Sequence, residues 1–402
     1  MNSKLLRKVV LCLPLLFLLA AGASWSQDPQ DMLKSYLRNF AIASLEVKVQ
    51  VVLDAGKSGS KDLGPLYLRA VDYVLENFSY LETDQRFRTL AVAALDLIRT
   101  TGFADARYSV WKLFRTDTSR EVRESALKAL AVIGKGDAEI AQNLTLWLEA
   151  QNSVFQTGKV PEVPVVLAAI RALGALGDPI AFPALFAAMN LGYTEDVTSQ
   201  ARESLLAIPG DYRALFNGIL RDSSLAEKKL ALSMAMESAR LADADKGAVA
   251  EFALDVGLHT AAADNQSKTL ARELRFLAVK ALSGRKWSKA TPLAIEHFDA
   301  VLLEYERGLA DRRFLVEAIN LLGDMGSHEA AVRLTQYLIL LNSYTEKVRE
   351  FDSTIVLAVI ENLGKLGDKV AFDDLQYVEY LKSYSPEVLA AARRVRAGLK
   401  WH

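Results

Sequence analysis

Ala-Ile-Arg-Ala-Leu-Gly-Ala-Leu-Gly-Asp occupies residues 169–178, and Val-Ile-Glu-Asn-Leu-Gly-Lys-Leu-Gly-Asp residues 359–368. Ala-Ile-Asn-Leu-Leu-Gly-Asp-Met-Gly-Ser at 318–327 is a third version, and Leu-Lys-Ala-Leu-Ala-Val-Ile-Gly at 127–134 a looser fourth. In each, apolar residues fall at helical spacing, a Gly follows, and an Asp or Ser opens a second apolar stretch. A recurring helix–turn–helix unit predicts a stacked, all-α array. It specifies an architecture and no chemistry.

The unit has a physical logic. Ala126, Leu127 and Leu130, or Ile170 and Leu173, or Ile360 and Leu363, form an i, i+3, i+4 stripe on the first helix. Gly tolerates the left-handed conformation that ends a helix. Asp137, Asp178 and Asp368, with Ser327 standing in once, are placed to accept bonds from the free N–H groups of the second helix. That helix carries core positions four apart: Ala106/Val110, Ile140/Leu144, Ala181/Leu185, Ala330/Leu334 and Ala371/Leu375. The small first member lets neighbouring helices approach.

Taking the Gly that ends each first helix as a marker yields Gly102, Gly134, Gly177, Gly210, Gly284, Gly326 and Gly367. The 74 residues between Gly210 and Gly284 predict two units there, with a weak turn near Ala242–Asp245. The mean is then about 38 residues per unit, within the range of two-helix solenoids. Asp28–Tyr80 reads as two or three amphipathic helices broken at Gly56–Gly64, and loops are expected at Gln151–Pro164, His259–Ser267 and Gly284–Pro292. Pro386–Trp401 reads as an amphipathic helix that seals the open end of the array.

These turns resemble HEAT repeats. The Leu-Gly-x-Leu-Gly-Asp phrase and Val-Arg-Glu-Ser-Ala-Leu-Lys-Ala-Leu at 122–130 carry the likeness, with Asp117–Ala126 supplying an Asp…Val-Arg…Ala entry. The likeness is good over 85–210 and 270–380 and weak over 28–84 and 211–270. The Trp, Tyr and Pro positions of tetratricopeptide repeats do not recur. The resemblance implies a right-handed α-α superhelix of stacked HEAT-like pairs, its second helices lining the concave side. The expected organisation is a signal segment at 1–23, a degenerate repeat or cap at 28–84, and a solenoid with its capping helix at 85–402.

The chain's start reads as a secretory signal: basic Lys4, Arg7 and Lys8, apolar Val9–Ala21, and a small-x-small site at Ala21-Gly22-Ala23. Cleavage as late as Ser26 is a second possibility. An uncleaved anchor is the competing reading, against which Pro14 and the short apolar run both argue. Processing removes Cys12, the one cysteine, which lacks the small neighbours of a lipoprotein signal. The mature chain then has no thiol for disulfides, metal sites or nucleophilic catalysis, and no lipid anchor. Formal charge is −1; without Lys4, Arg7 and Lys8 it is 45 basic against 49 acidic residues, or −4. Nucleic-acid binders normally carry a basic excess, so none is expected as a partner. A cysteine-free exported chain of this size suits a bacterial envelope, so the expected location is periplasmic or otherwise exported.

Signs of chemistry are sparse. His259, His297, His328 and His402 form no two-His helical face. His328-Glu329 is the sharpest enzyme candidate, because iron-dependent hydroxylases built from HEAT repeats use several His-Glu pairs; this chain has one. HEAT-like bilin lyases act on a pigment, and nothing here addresses one. Gly56-Lys57-Ser58-Gly59-Ser60 lacks the frame of a phosphate loop, and Asp373-Asp374 are adjacent rather than opposed. Arg393, Arg394, Arg396 and Lys400 make a basic face suited to an acidic partner or to the dipole at a helix end. Trp111, Trp147 and Phe186 mark either a ligand groove or the core. Asn77, Asn143 and Asn265 head Asn-x-Ser/Thr sequences of little weight in a bacterial host.

No catalytic, cofactor-binding or metal residue is therefore assigned. The expected function is an exported scaffold or adaptor that binds a protein partner along its second helices, at 105–115, 139–149, 179–190 and 328–338. The alternative is an enzyme or small-ligand carrier with a pocket between helices.

Overall fold

The computed structural model describes residues 29–80 and 83–400. The expected signal segment, Cys12 and His402 lie outside the described residues. The chain divides between Ile208 and Pro209 into two compact units.

The first unit contains α1 (Pro29–Ile42), α2 (Leu45–Lys57), α3 (Gly64–Glu76), α4 (Gln85–Thr101), α5 (Arg107–Thr116), α6 (Arg120–Ile133), α7 (Ala138–Gln156), α8 (Val163–Leu176), α9 (Phe182–Asn190) and α10 (Glu195–Ala207). The second contains α11 (Tyr212–Asp222), α12 (Leu225–Glu237), α13 (Asp243–His259), α14 (Asn265–Leu282), α15 (Thr291–Glu306), α16 (Arg312–Met325), α17 (His328–Val348), α18 (Ser353–Leu366), α19 (Phe372–Tyr380) and α20 (Pro386–Ala397). Among the described residues there is no strand, only an isolated bridge between Asp368 and Lys400. The all-α, stacked helix-pair architecture is as the sequence predicts.

Within each unit the helices form two layers. In the first unit α2, α4, α6, α8 and α10 pack side by side in sequence, and α3, α5, α7 and α9 form the facing layer. The helices of 28–84, expected as a degenerate repeat or cap, pack onto this stack, α3 along α4. Each odd helix lies closest to the even helix that follows it across a short loop, not to the one before it across the Gly turn. At five of those turns a single 3-10 turn separates the helices: Lys61–Leu63, Ala104–Ala106, Pro179–Ala181, Ser288–Ala290 and Lys369–Ala371. It carries the chain from one layer to the other before the next helix starts.

The caps form as their residue types require. Asp137 accepts from the N–H groups of Glu139 and Ile140 at 3.0 and 3.1 Å, Asp178 from Ile180 at 3.0 Å, Asp368 from Val370 at 2.9 Å and Ser327 from Ala330 at 3.2 Å. All five predicted core pairs on the odd helices, from Ala106/Val110 to Ala371/Leu375, are fully buried. Gly102, Gly177, Gly326 and Gly367 take the left-handed stop, with φ of 65–69°.

Four local expectations are corrected. Gly134 has φ −88°, and the left-handed residue is Gly136 at +82°. A Cβ at Gly134 would instead stand 2.8 Å from the Leu130 carbonyl and 2.9 Å from Ile140, so close packing requires that glycine. Gly210 ends no helix: α10 stops at Ala207 on an extended Ile208. Gly284 follows an extended Ser283 rather than stopping α14 itself. Gln151–Gln156, expected as loop, is the last part of α7, because Asn152 is buried there and donates to the Ala184 carbonyl at 2.9 Å. The turn sought near Ala242–Asp245 falls between α12 and α13, just before Asp243.

The two units are copies of one ten-helix plan, a relationship that the helix-pair repeat did not disclose. Asn152 and Asn342, Gly177 and Gly367, and Asp178 and Asp368 are each 190 residues apart. Tyr193 donates its hydroxyl proton to Asn152 Oδ1 at 3.1 Å; Tyr384 donates to Asn342 Oδ1 at 3.0 Å. Phe114 meets Trp147 edge-on at 5.1 Å, and Phe298 meets Tyr337 edge-on at 5.3 Å. Lys48 donates to the Phe40 carbonyl at the end of α1, and Lys228 to the Arg221 carbonyl near the end of α11.

Candidate protein-interaction surface

The residues singled out for chemistry are placed apart or in the core. His328 is exposed at the first position of α17, with Nδ1 2.6 Å from Asp368 Oδ2, and that carboxylate raises its pKa above the usual histidine value. Glu329 beside it faces solvent in the same first turn. His259 sits between Asp255, at 2.9 Å, and Glu296, at 3.2 Å, with its pKa raised by the Asp255 carbonyl and by Glu296. His297 is fully buried. Among the described residues no three His, Cys, Asp or Glu side chains converge to hold a metal ion.

Gly56–Ser60 is the end of α2 and the cap of the 3-10 turn Lys61–Leu63, whose Asp62 N–H donates to Ser60 Oγ at 3.3 Å. Asp373 and Asp374 are neighbours on α19; burial, then Asp373, raises the Asp374 carboxyl above its ordinary value. In the C-terminal basic face, Arg393 and Arg396 both bind Glu379, at 3.2 and 2.8 Å, and Arg394 stands 4.0 Å from Glu361. The Lys400 backbone N–H donates to the Gly367 carbonyl. Much of that charge is therefore satisfied within α18–α20. Trp147 and Phe186 are buried and Trp111 half-buried, so these aromatics are core.

A different set of side chains makes a surface. In the second unit α15, α17 and α19 lie side by side in the odd layer. Their outward faces expose Leu303 on α15, Ile339, Leu340 and Tyr344 on α17, and Tyr377 and Tyr380 on α19. The inner face of α17 is filled by Leu334, Tyr337, Leu338 and Asn342, so Ile339, Leu340 and Tyr344 are apolar residues beyond what its core stripe needs. Glu346 on α17 bonds the Tyr377 hydroxyl on α19 and raises its pKa, which ties the two helices across this face. Glu306, Glu346 and Asp373 are exposed on the same three helices, with exposed Lys347 beside Glu346. In the first unit the odd layer exposes Tyr108, Leu146, Val154 and Ile180 more sparsely, and Tyr108 is held by Glu139 at 3.1 Å.

The predicted stretch 328–338 reaches α17 but stops one residue short of this band. The missed signal was an amphipathic helix that stays apolar on its outer side, at Ile339, Leu340 and Tyr344. Contiguous exposed apolar area rimmed by polar residues marks interaction sites.

Residues 165–190 match the family described as PBS lyase HEAT-like repeat. They span most of α8, the Gly177 stop and α9. No curated protein matches the chain. Among solved structures, the crystal structure of an engineered protein from the Northeast Structural Genomics Consortium is 16% identical. The alignment covers 94% of this chain and 97% of that one, with a TM-score of 0.35.

Proposed function

We propose that this chain is an exported, non-catalytic scaffold or adaptor that binds a protein partner in the bacterial cell envelope through its odd-helix layer. The observation that carries the reading is the set of exposed apolar side chains on α15, α17 and α19, from Leu303 to Tyr380. Tyr344, Tyr377 and Tyr380 are suited to anchor a partner: Tyr offers large amphipathic area and is enriched at energetic hot spots. The HEAT-like match at 165–190 supports a repeat scaffold, and no helix among the described residues is long and apolar enough to cross a membrane. The export reading rests on the signal pattern at 1–23.

The test has two arms. N-terminal sequencing of the native protein is expected to return a start between Ser24 and Asp28; Met1, with fractionation in the membrane, replaces export by anchoring. Photo-crosslinking in cells from position 340 is expected to trap one defined protein, and Tyr344→Glu with Tyr380→Glu to abolish that product while the fold persists. A product unaffected by both changes removes the odd-layer surface from the function.

A further inference from the structure

The even layer of the ten-helix plan is broken at one place. In the first unit α4 and α6 pack along each other, whereas their counterparts α14 and α16 meet at only a few points. The buried positions align the copies: Ala91, Ala94, Leu95 and Ile98 correspond to Ala271, Leu274, Arg275 and Ala278, and Ala126, Leu127 and Leu130 to Ala318, Ile319 and Leu322. By that register Phe276 stands where the first unit has Asp96, and Phe314 where it has Val122. Phe276 and Phe314 stack on each other at 4.2 Å between the helices. Two rings inserted where the other copy has a short carboxylate and a valine hold α14 and α16 apart.

The opening is a trench of about 1040 Å³ on the even layer, running from Thr269 to Ser283 along α14. That is roughly four helical turns, about 21 Å. Most of its charges are already matched: Lys229 by Glu273, Lys365 by Asp324 at 3.6 Å and Arg272 by Glu304 at 3.3 Å. Lys280 on the α14 wall and Glu317 on the α16 wall line the trench without an ion pair.

We propose that this trench is a docking site for one amphipathic helix of a partner protein. Its apolar stripe lies on Phe276 and Phe314, its acidic flank faces Lys280 and its basic flank faces Glu317. The walls are the sides of helices, whose backbone groups are already bonded, so an extended peptide finds no ladder to join. A helix brings its own backbone bonds and needs only side-chain contact. The trench is open along its length, whereas small-molecule sites bury 70–90% of their ligand. This site is on the opposite layer from the band across α15, α17 and α19 and does not depend on it.

The test uses the full chain and a phage-displayed library of amphipathic helical peptides with varied stripe and flanks. Enrichment is expected for an aromatic or aliphatic stripe with acid on one flank and base on the other. A synthetic peptide of that pattern is expected to lose about tenfold in affinity against Phe276→Asp/Phe314→Val, which installs the first unit's residues, as loss of an apolar anchor does. Lys280→Glu should weaken it as well, and a peptide with Lys in place of the facing acid should recover binding. Tyr344→Glu should leave it unchanged. Equal affinity for Lys280→Glu and the parent, or no enrichment of any peptide from the library, overturns the proposal. If the double variant melts early, the charge exchange at Lys280 and the matching Glu317→Lys exchange decide alone, since both residues are exposed.

Discussion

His297 holds in the second unit the core position that Leu113 holds in the first. Each stands one residue before the phenylalanine, Phe298 or Phe114, that meets the next odd helix edge-on. His297 is fully buried, neither ring nitrogen has a hydrogen-bond partner, and burial beside Arg275 pushes its pKa down to about 3. The unfolded chain takes up that proton near pH 6.5. Stability is therefore present above about pH 6.5 and falls as pH drops from there toward 3. His297→Leu, which copies the first unit, should flatten that acid-side decline. It should also stabilise the protein at neutral pH by about 1–3 kcal/mol, the usual cost of an unsatisfied buried polar group. Urea denaturation between pH 4 and 7 measures both; an unchanged slope shows that another group titrates.

His328 behaves in the opposite sense. Its pKa is raised by the hydrogen bond and charge of Asp368, so its stabilising contact is complete below about pH 6.5 and is lost as pH rises through the folded value. Nitrogen-edited NMR titration should place His328 above an unperturbed histidine, and Asp368→Asn should return it to the ordinary range. A His328 titrating alike in both proteins breaks the link between α17 and the cap of the next unit.

The buried Asn–Tyr pairs should be mutually dependent. Tyr193 is held protonated by burial, its pKa pushed up to about 12, and donates a hydrogen bond to Asn152 Oδ1, while the Asn152 amide donates to the Ala184 carbonyl. Tyr193→Phe should cost about 1 kcal/mol, and Asn152→Leu about 1–3 kcal/mol because it leaves the buried Tyr193 hydroxyl without its partner. The double variant should cost less than the sum of the two. Strict additivity in a thermal-denaturation cycle shows that the pair is not coupled.

Two glycines should fail for different reasons. A Cβ at Gly323 would stand 2.0 Å from Asn362 Oδ1, and Asn362 is itself fixed by Asn320 at 2.7 Å and the Ala358 carbonyl at 2.8 Å. Gly323→Ala should cost about 1–3 kcal/mol through overpacking. Gly367 has open space around its missing Cβ but φ +66°, so Gly367→Ala should cost about 1–2 kcal/mol through the backbone alone. Gly367→Asn should recover some of that loss, since Asn visits this conformation, whereas Gly323→Asn should be worse than Ala. The reverse order in melting temperature contradicts the assignment.

Helix stops and caps were legible because their physics is local. Gly177 and Gly367 end helices by the conformations a side-chain-free residue tolerates, and Asp137, Asp178 and Asp368 cap by reaching N–H groups two or three residues away. Ala181/Leu185 and Ala371/Leu375 declare a buried face through spacing within one helix. Gly134 misled because its glycine answers to Leu130 and Ile140, atoms brought near by packing. The loop placed at Gln151 failed likewise: Asn152 is anchored within α7 by Ala184 and Tyr193, which only packing brings beside it.

The candidate surfaces were the least visible feature. Whether Leu340 and Tyr344 face the core or water depends on which side of α17 its neighbours take. Phe276 and Phe314 are 38 residues apart, and nothing in either helix announces that their rings will stack and hold neighbouring helices apart. By itself the sequence determined where helices start, stop and turn apolar, since each depends on bonds within a few residues. The tertiary structure alone decided which helices touch, that ten of them recur as a copy, and where that copy was left open. Those outcomes are set by contacts between residues tens of positions apart.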